Sequence, residues 1–322
     1  MPTDPRVDRG AVDRALTDLR ALAHTDRGVL EAVACGPVAV PALRALLFAP
    51  EPSGVFAPRC AAVEALVALG AGDVLIGFLA APHEIADPVA RVGTEAVMDC
   101  VARALMQCPD PRLPVMLQRL AETRLLPGAI EWLGAHGWDE ALPCLIRALG
   151  DDVAWPSAVT ALHGLGAVTI PALWRATLDP SPDRNHEADT SRRRRRAALA
   201  VLRDIDAAAG AAPSGALEYL ADDRDPGISA TALCLLLDSQ SPTDRPVLAR
   251  RLIAALDPAD IVVCYDIEAC LTRHAGLARR VLREVERIAP ANETPARRRV
   301  LGRLRARLGI APDDTALGVG SC

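Results

Sequence analysis

Lysine is absent from this 322-residue chain, and arginine supplies every one of its 36 basic side chains. We attribute this usage to GC-rich codons rather than to selection for bidentate contacts. Aromatic residues are also scarce, at 3% against 51% apolar residues overall. Such a composition predicts a core built from Ala, Leu and Val instead of large rings. No CxxC pair is present, so the nine cysteines are interpreted as small core residues of a protein in a reducing compartment.

The short catalytic motifs are missing as well. The chain has no Gly-rich phosphate loop, no GxSxG elbow and no HExxH pair. Its first ten residues contain no apolar run of the kind found in signal peptides. The uncharged stretch 153–174 is long enough to cross a bilayer, but Pro156, Gly166 and Pro171 interrupt it. We therefore expect a cytoplasmic, non-enzymatic protein with no cofactor and no membrane association.

One pattern recurs along the chain: an apolar residue, a proline and a short Leu-rich stretch. Proline suits the first turn of a helix because an amide at that position has no intrahelical acceptor. The spacing indicates a unit of roughly 28 to 37 residues, which is typical of stacked helix pairs. The copies are VPALRALL from Val40, LPVMLQRL from Leu113, LPCLIRAL from Leu142, IPALWRATL from Ile170 and, more weakly, RPVLARRL from Arg245.

A second pattern alternates with the first and predicts the second helix of each pair. Its copies are AAVEALVALG from Ala61, SAVTALHGLG from Ser157, RAALAVLRDI from Arg196 and SATALCLLLD from Ser229. Turn residues then divide the chain into about nine helix pairs, over 11–35, 37–70, 71–108, 110–136, 138–167, 168–208, 212–239, 242–275 and 276–309. The expected fold is all-α: an α-solenoid of about nine antiparallel helix pairs forming one elongated domain over 1–322, with repeats over about 11–309 and a loose tail over 310–322.

Three stretches, VPALR, APRCAAVEALVALGAGDVL and LADDRDPGISATALCLLLD, resemble HEAT repeats, especially the short bacterial HEAT-like class also found in phycobilisome lyases. The resemblance covers most of the chain and implies a superhelix of helix pairs. It leaves the activity open, because HEAT-like arrays serve as scaffolds, adaptors, lyase subunits, DNA glycosylases and a metal-dependent hydroxylase.

The favoured function is a scaffold or adaptor that binds another protein on the concave face of the solenoid. Second helices usually line that face, and in the third pair Arg91, Glu95, Asp99 and Arg103 follow one another at intervals of four on one side. Because these four side chains include both positive and negative charges, they favour a protein as the partner. Trp155 is added to this set because tryptophan is enriched at interaction hot spots.

The run of five arginines from Arg192 to Arg196 is the densest charge cluster in the chain. At 100° per residue, Arg192, Arg195 and Arg196 share one helix face, which is predicted to bind a partner protein, with nucleic acid as the alternative. Acidic residues just upstream, including Glu187 and Asp189, suggest a competing interpretation, in which the arginines form ion pairs within the protein. The net charge of −5 also argues against nucleic acid.

Three alternatives to the scaffold stay open. The dipeptides His83-Glu84 and His186-Glu187 resemble the di-iron ligands of deoxyhypusine hydroxylase, a HEAT-like enzyme, although that family uses four such dipeptides and this chain has two, predicted to lie between helices. A HEAT-like DNA glycosylase would pair a tryptophan such as Trp155 with a nearby aspartate. The third alternative is a bilin-lyase-like subunit.

Overall fold

The computed structural model of the chain describes residues 9–21, 23–183, 186–205, 212–239, 244–256, 261–288 and 295–310. Within these ranges the protein is all-α apart from one two-stranded ladder, which confirms the all-α part of the predicted fold, while the solenoid arrangement stays a prediction. The chain divides into two compact units, Met1–Leu165 and Gly166–Cys322, called unit 1 and unit 2 below. Of the predicted tail, residues 311–322 lie outside the described part.

Unit 1 consists of successive helix pairs. Each second helix from α2 onwards contacts the next second helix, in the order α2, α4, α6, α8, α10, and the leading helices from α3 to α9 do the same. The bounds are α1 Arg9–Arg20, α2 Thr25–Ala34, α3 Val40–Phe48, α4 Ala57–Ala68, α5 Gly72–Ala80, α6 Pro88–Ala104, α7 Leu113–Arg124, α8 Pro127–Ala135, α9 Leu142–Ala148 and α10 Trp155–Leu165, with 3₁₀ turns at Gly36–Ala39 and Asp139–Ala141.

Unit 2 repeats this arrangement after a 3₁₀ turn at Gly166–Thr169. Its second helices contact one another in the order α12, α14, α16, α18. The bounds are α11 Ile170–Leu178, β1 Pro182–Asp183, β2 His186–Glu187, α12 Asp189–Asp204, α13 Ala216–Ala221, α14 Pro226–Ser239, α15 Arg245–Ala254, α16 Ile261–Arg273, α17 Ala275–Ile288 and α18 Pro295–Leu308. The strands β1 and β2 pair antiparallel, with Pro182 opposite Glu187.

The helices follow the repeats seen in the sequence. In the described part of the chain, each predicted interval holds two α-helices, to within two residues at its ends. The five repeated prolines all lie in the first turn of a leading helix, at α3, α7, α9, α11 and α15. The second pattern falls on α4, α10, α12 and α14, each the second helix of its pair.

Small residues allow the second helices to approach closely. A Cβ atom added to Gly134 on α8 would lie 2.3 Å from the Cβ atom of Ala161 on α10, far inside van der Waals contact. Around such contacts the core is filled by leucine and alanine, including the fully buried Leu43, Leu66 and Leu133. Each buried leucine contributes about 1.5–3 kcal/mol, so stability accumulates along the row of helices.

The apolar stretch 153–174 does not form one continuous helix. The segment Trp155–Leu178 is, among the described residues, the one helical stretch long and apolar enough to cross a membrane, by length and composition only. It is divided into α10, the 3₁₀ turn and α11, and Gly166 at the junction has a φ of 64°. The division agrees with the two half-segments that the sequence predicted, and the cytoplasmic location stays a prediction.

Candidate functional site

A groove of about 980 Å³ opens in unit 1 between the segment 81–87, the first half of α6 and the second half of α7. We call it the α5–α7 groove. It is lined by Leu79, Ala80, Ala81, Pro82, His83, Glu84, Ile85, Arg91, Glu95, Met98, Met116, Arg119, Leu120, Thr123, Arg124 and Leu125. The groove therefore brings together the first dipeptide, His83-Glu84, and half of the predicted charged stripe.

The groove combines apolar side chains with exposed charge. Met98 and Leu120 are buried and form part of its apolar lining. Arg91 on α6 and Arg119 on α7 are exposed, and within the described ranges neither guanidinium has an ion-pair partner. Two uncompensated cations beside an apolar surface make the groove a candidate binding site.

Arg124 fixes one wall of the groove. Its Nη1 atom lies 3.0 Å from Oε1 of Glu95 on α6, and its Nη2 atom donates a 3.0 Å hydrogen bond to the backbone oxygen of His83. One guanidinium thus ties α7 both to α6 and to the segment between α5 and α6. The wall is held in place before any ligand binds.

His83 also has a structural role. Its Nε2 atom lies 2.8 Å from the carbonyl oxygen of Phe78, and its ring packs against that of Phe78 at a centroid distance of 4.6 Å. Burial lowers the pKa of His83 below its usual value near 6.5, an effect that the nearby Arg124 reinforces. The neutral ring therefore donates from Nε2 to Phe78. Glu84 beside it is exposed.

Nothing in the described part of the chain groups three or more His, Cys, Asp or Glu side chains in a way that could hold a metal ion. The second dipeptide lies between the two helices of its pair, as predicted, and forms the strand β2 in unit 2. There Glu187 accepts hydrogen bonds from Ser191 and Arg195, and His186 is exposed. The hydroxylase alternative thus gains no support from these residues.

The remaining two residues of the stripe are engaged within unit 1. Arg103 forms ion pairs with Asp99 on its own helix and with Glu131 on α8, the latter at 2.8 Å. Glu131 also accepts a 2.7 Å hydrogen bond from Ser157 on α10. Its hydrogen bond from Arg103 lowers the pKa of Glu131, although burial opposes the shift. These contacts link α6, α8 and α10, so Asp99 and Arg103 stabilise the packing of three second helices.

Three of the five arginines in the run of unit 2 form ion pairs within the protein. Arg195 is only 2% exposed, and its guanidinium contacts Glu187 at 2.9 Å, Asp223 and the carbonyl oxygen of Thr177 at 2.7 Å. Burial alone would lower the pKa of Arg195, but the two carboxylates raise it. Arg195 therefore lies at the centre of a buried charge network.

The other two arginines on that face contact carboxylates as well. Arg196 donates to Asp225 at 2.7 Å, and Arg192 pairs with Asp189. The upstream residues Glu187 and Asp189 were anticipated as partners, but Asp223 and Asp225 were missed. Both lie in the turn between α13 and α14, one helix-pair period beyond the arginines. That spacing in the sequence could have identified them as partners of the arginines. A cavity of about 640 Å³ beside this network is lined by the same arginines and by the exposed Tyr219.

The tryptophans differ sharply in exposure. Trp155, at the start of α10, is 44% exposed, whereas Trp132 and Trp174 are buried. Trp132 donates from Nε1 to the backbone oxygen of Leu105 at 3.1 Å, and Trp138 donates to Gln118 at 2.9 Å. Of these four, Trp155 alone keeps a large exposed surface in the described structure.

No protein-family model matches this chain, and a search of curated proteins finds no significant match.

Proposed function

We propose that the chain is a protein-interaction scaffold built from HEAT-like helix pairs, and that unit 1 binds a segment of a partner protein in the α5–α7 groove. The contacts of second helix to second helix support the HEAT-like assignment. The observation that carries the binding site is the pair of exposed guanidinium groups, Arg91 and Arg119, without ion-pair partners among the described residues and beside an apolar lining.

The charges of the groove indicate the amino-acid composition of the partner segment. Arg91 and Arg119 are suited to carboxylates, because a guanidinium binds them through two parallel hydrogen bonds. Met116, which is partly exposed in the groove, supplies a flexible, polarisable side chain that adapts to an apolar residue of the ligand. We therefore expect a peptide segment that carries an aspartate or glutamate next to a large apolar side chain. A volume of about 980 Å³ accommodates only a few residues.

Mixed charge favours a peptide over nucleic acid at this site. Glu84 and Glu95 line the same groove as the arginines, and this mixture of charges suits a peptide with a single carboxylate better than the continuous row of negative charges on a phosphate backbone. In unit 2 the arginines predicted for nucleic-acid binding contact Glu187, Asp223 and Asp225 instead. The scaffold is thus the function that the charged surfaces support best.

Selection of peptides from a phage-displayed random library against the full chain tests this function. Enriched peptides are then synthesised with a fluorophore and titrated by fluorescence polarisation. The variant Arg91→Glu/Arg119→Glu should lose at least about tenfold in affinity, which corresponds to about 1.4 kcal/mol. The matched control, Arg9→Glu/Arg20→Glu, makes the same change of charge at exposed positions of α1 and should bind as the unaltered protein does.

Two results would reject the groove as the binding site. One is a selection that enriches no acidic, apolar sequence. The other is an equal loss of affinity in both double variants, which would show that only the net charge of the protein matters.

A further inference from the structure

The cavity of about 640 Å³ in unit 2 has the same place within its helix pairs as the α5–α7 groove has in unit 1. Both open between the segment that joins the two helices of one pair, the start of the second helix and the end of the next leading helix. In unit 2 these elements are β2, α12 and α13, together with the turn 222–225. We call it the α12–α13 cavity. The same position in the repeat thus forms a pocket in each unit.

Three guanidinium groups of this cavity are accessible from solvent. The side chains of Arg192 and Arg196 are 45% and 38% exposed, and Arg224 is exposed as well. Arg192 pairs with Asp189, which does not line the cavity. Arg224 has no ion-pair partner in the part of the chain that the structure describes. The cavity therefore presents several cationic donors to a ligand.

The carboxylates that line the cavity are mostly shielded from solvent. The side chains of Asp223 and Asp225 are 11% and 4% exposed, and that of Glu187 is 19% exposed. Asp222 is exposed, but it pairs at 2.5 Å with Arg251, which lies outside the lining. An anion that enters the cavity therefore meets guanidinium groups before it meets an unpaired carboxylate.

Asp225 holds two of the guanidinium groups in position. Its Oδ1 atom accepts a 2.7 Å hydrogen bond from Nε of Arg196, and its Oδ2 atom lies 3.9 Å from Nε of Arg192. The carboxylate is itself fixed, because Oδ1 also accepts hydrogen bonds from the backbone amides of Gly227 and Ile228 in the first turn of α14. Guanidinium groups that are held in this way are oriented before a ligand arrives, which lowers the entropy lost on binding.

We propose that the α12–α13 cavity binds a phosphorylated side chain of a partner protein. This inference rests on the scaffold function proposed above and gives that function a second site, in unit 2. A phosphate monoester carries a charge of about −1.5 to −2 at pH 7 and three acceptor oxygens, so several guanidinium groups can share it. A carboxylate has one charge and two oxygens and satisfies fewer donors. Tyr219, which is 61% exposed, offers its ring and hydroxyl to the residue that bears the phosphate.

A single phosphate group suits the cavity better than the backbone of a nucleic acid does. Affinity for nucleic acid grows with the number of phosphates that the protein contacts. Here the carboxylates of Glu187, Asp223 and Asp225 limit the positive charge to a small area. The cavity thus lacks the long run of accessible cations that a phosphate backbone requires.

Degenerate peptide libraries test the proposal on the full chain. Three fluorescent libraries are centred on phosphoserine, phosphothreonine or phosphotyrosine, and each has an unphosphorylated counterpart. In fluorescence polarisation, at least one phosphorylated library should bind at least about tenfold more tightly than its counterpart. An excess of inorganic phosphate should compete with it.

Two double variants locate the binding site. Arg192→Gln/Arg224→Gln removes two exposed cations of the cavity and should lower the affinity for the phosphorylated library by at least about tenfold. The matched control, Arg280→Gln/Arg283→Gln, removes two exposed arginines of α17 in the same unit and should bind as the unaltered protein does. The glutamate variant of the α5–α7 groove should also keep its affinity for the phosphorylated library, so the two proposed sites can fail independently of each other.

Three results would overturn the proposal. The first is that no phosphorylated library binds more tightly than its unphosphorylated counterpart. The second is an equal loss of affinity in the cavity variant and in the α17 control, which would show that only net charge matters. The third is a fluorescent single-stranded DNA that binds as tightly as the phosphorylated library and loses its affinity in the cavity variant, which would assign the cavity to nucleic acid.

Discussion

The carboxylate of Asp99, on α6, accepts a hydrogen bond from the backbone amide of Gly128, in the first turn of α8. An amide in the first turn of a helix has no partner within its own helix, so a residue from the preceding helix pair completes the start of α8. The contact also requires a glycine. A Cβ atom at position 128 would lie 2.6 Å from the backbone oxygen of Asp99.

Asp99→Ala is expected to reduce the free energy of unfolding by about 1–2 kcal/mol, because the variant loses both this helix cap and the ion pair with Arg103. Urea denaturation followed by circular dichroism measures the change. Asp13→Ala is the matched control, since Asp13 is exposed on α1 and its carboxylate forms no hydrogen bond or ion pair with the described residues. Equal effects of the two substitutions would show that the cap contributes nothing.

Two helical glycines should respond to alanine in opposite directions. Gly134→Ala forces a methyl group against Ala161, and we expect a loss of about 1–3 kcal/mol from overpacking. Gly77, on α5, has open space where its Cβ atom would be, so Gly77→Ala should gain up to about 1 kcal/mol from higher helix propensity. Thermal unfolding compares the two variants. A stabilising Gly134→Ala would contradict the close packing of α8 on α10.

Arg195→Met should destabilise unit 2 by about 3–5 kcal/mol, because it leaves the carboxylates of Glu187 and Asp223 without their shared cation. Arg224→Met serves as the control: Arg224 is exposed, belongs to the same unit and has no ion-pair partner in the described ranges. Guanidinium-induced unfolding followed by circular dichroism should show the difference. A change below 1 kcal/mol for Arg195→Met would mean that the network is not stabilising.

His83 should make the protein less stable in mild acid. Burial keeps its folded-state pKa below the ordinary value near 6.5, so the unfolded chain binds more protons around pH 6. The stabilising contribution is complete above pH 6.5 and is lost as the pH falls through the folded pKa. His83→Gln should therefore narrow the difference in unfolding free energy between pH 7.5 and pH 5, whereas His24→Gln, at an exposed position, should leave it unchanged. Parallel pH profiles for the unaltered protein and His83→Gln would contradict this assignment.

The order of the helices was predictable because it depends on local chemistry that repeats. A proline such as Pro41 or Pro143 fits only a first turn or a break, and its recurrence fixed where the leading helices begin. The Ala- and Leu-rich second pattern then placed the second helices. Both signals lie within a few residues of the structure that they specify.

The contacts of the charged residues were not predictable in the same way. The spacing of four along α6 correctly put Arg91 and Glu95 at one surface, and both line the groove. That spacing could not reveal that Asp99 caps α8, because the partner amide is 29 residues away in sequence. The same limit hid Asp225, which pairs with Arg196 across 29 residues.

The contact between Asp99 and Gly128 also determines where such a chain can be recombined. If a segment with both ends in loops is exchanged, the carboxylate is separated from the amide to which it is hydrogen bonded. The chimera then has a mismatched helix contact at each of its two junctions. A segment cut in the middle of one second helix and rejoined in the middle of the next would carry both residues together. Chimeras and duplicated repeats of this protein should therefore be assembled from blocks that start and end inside helices.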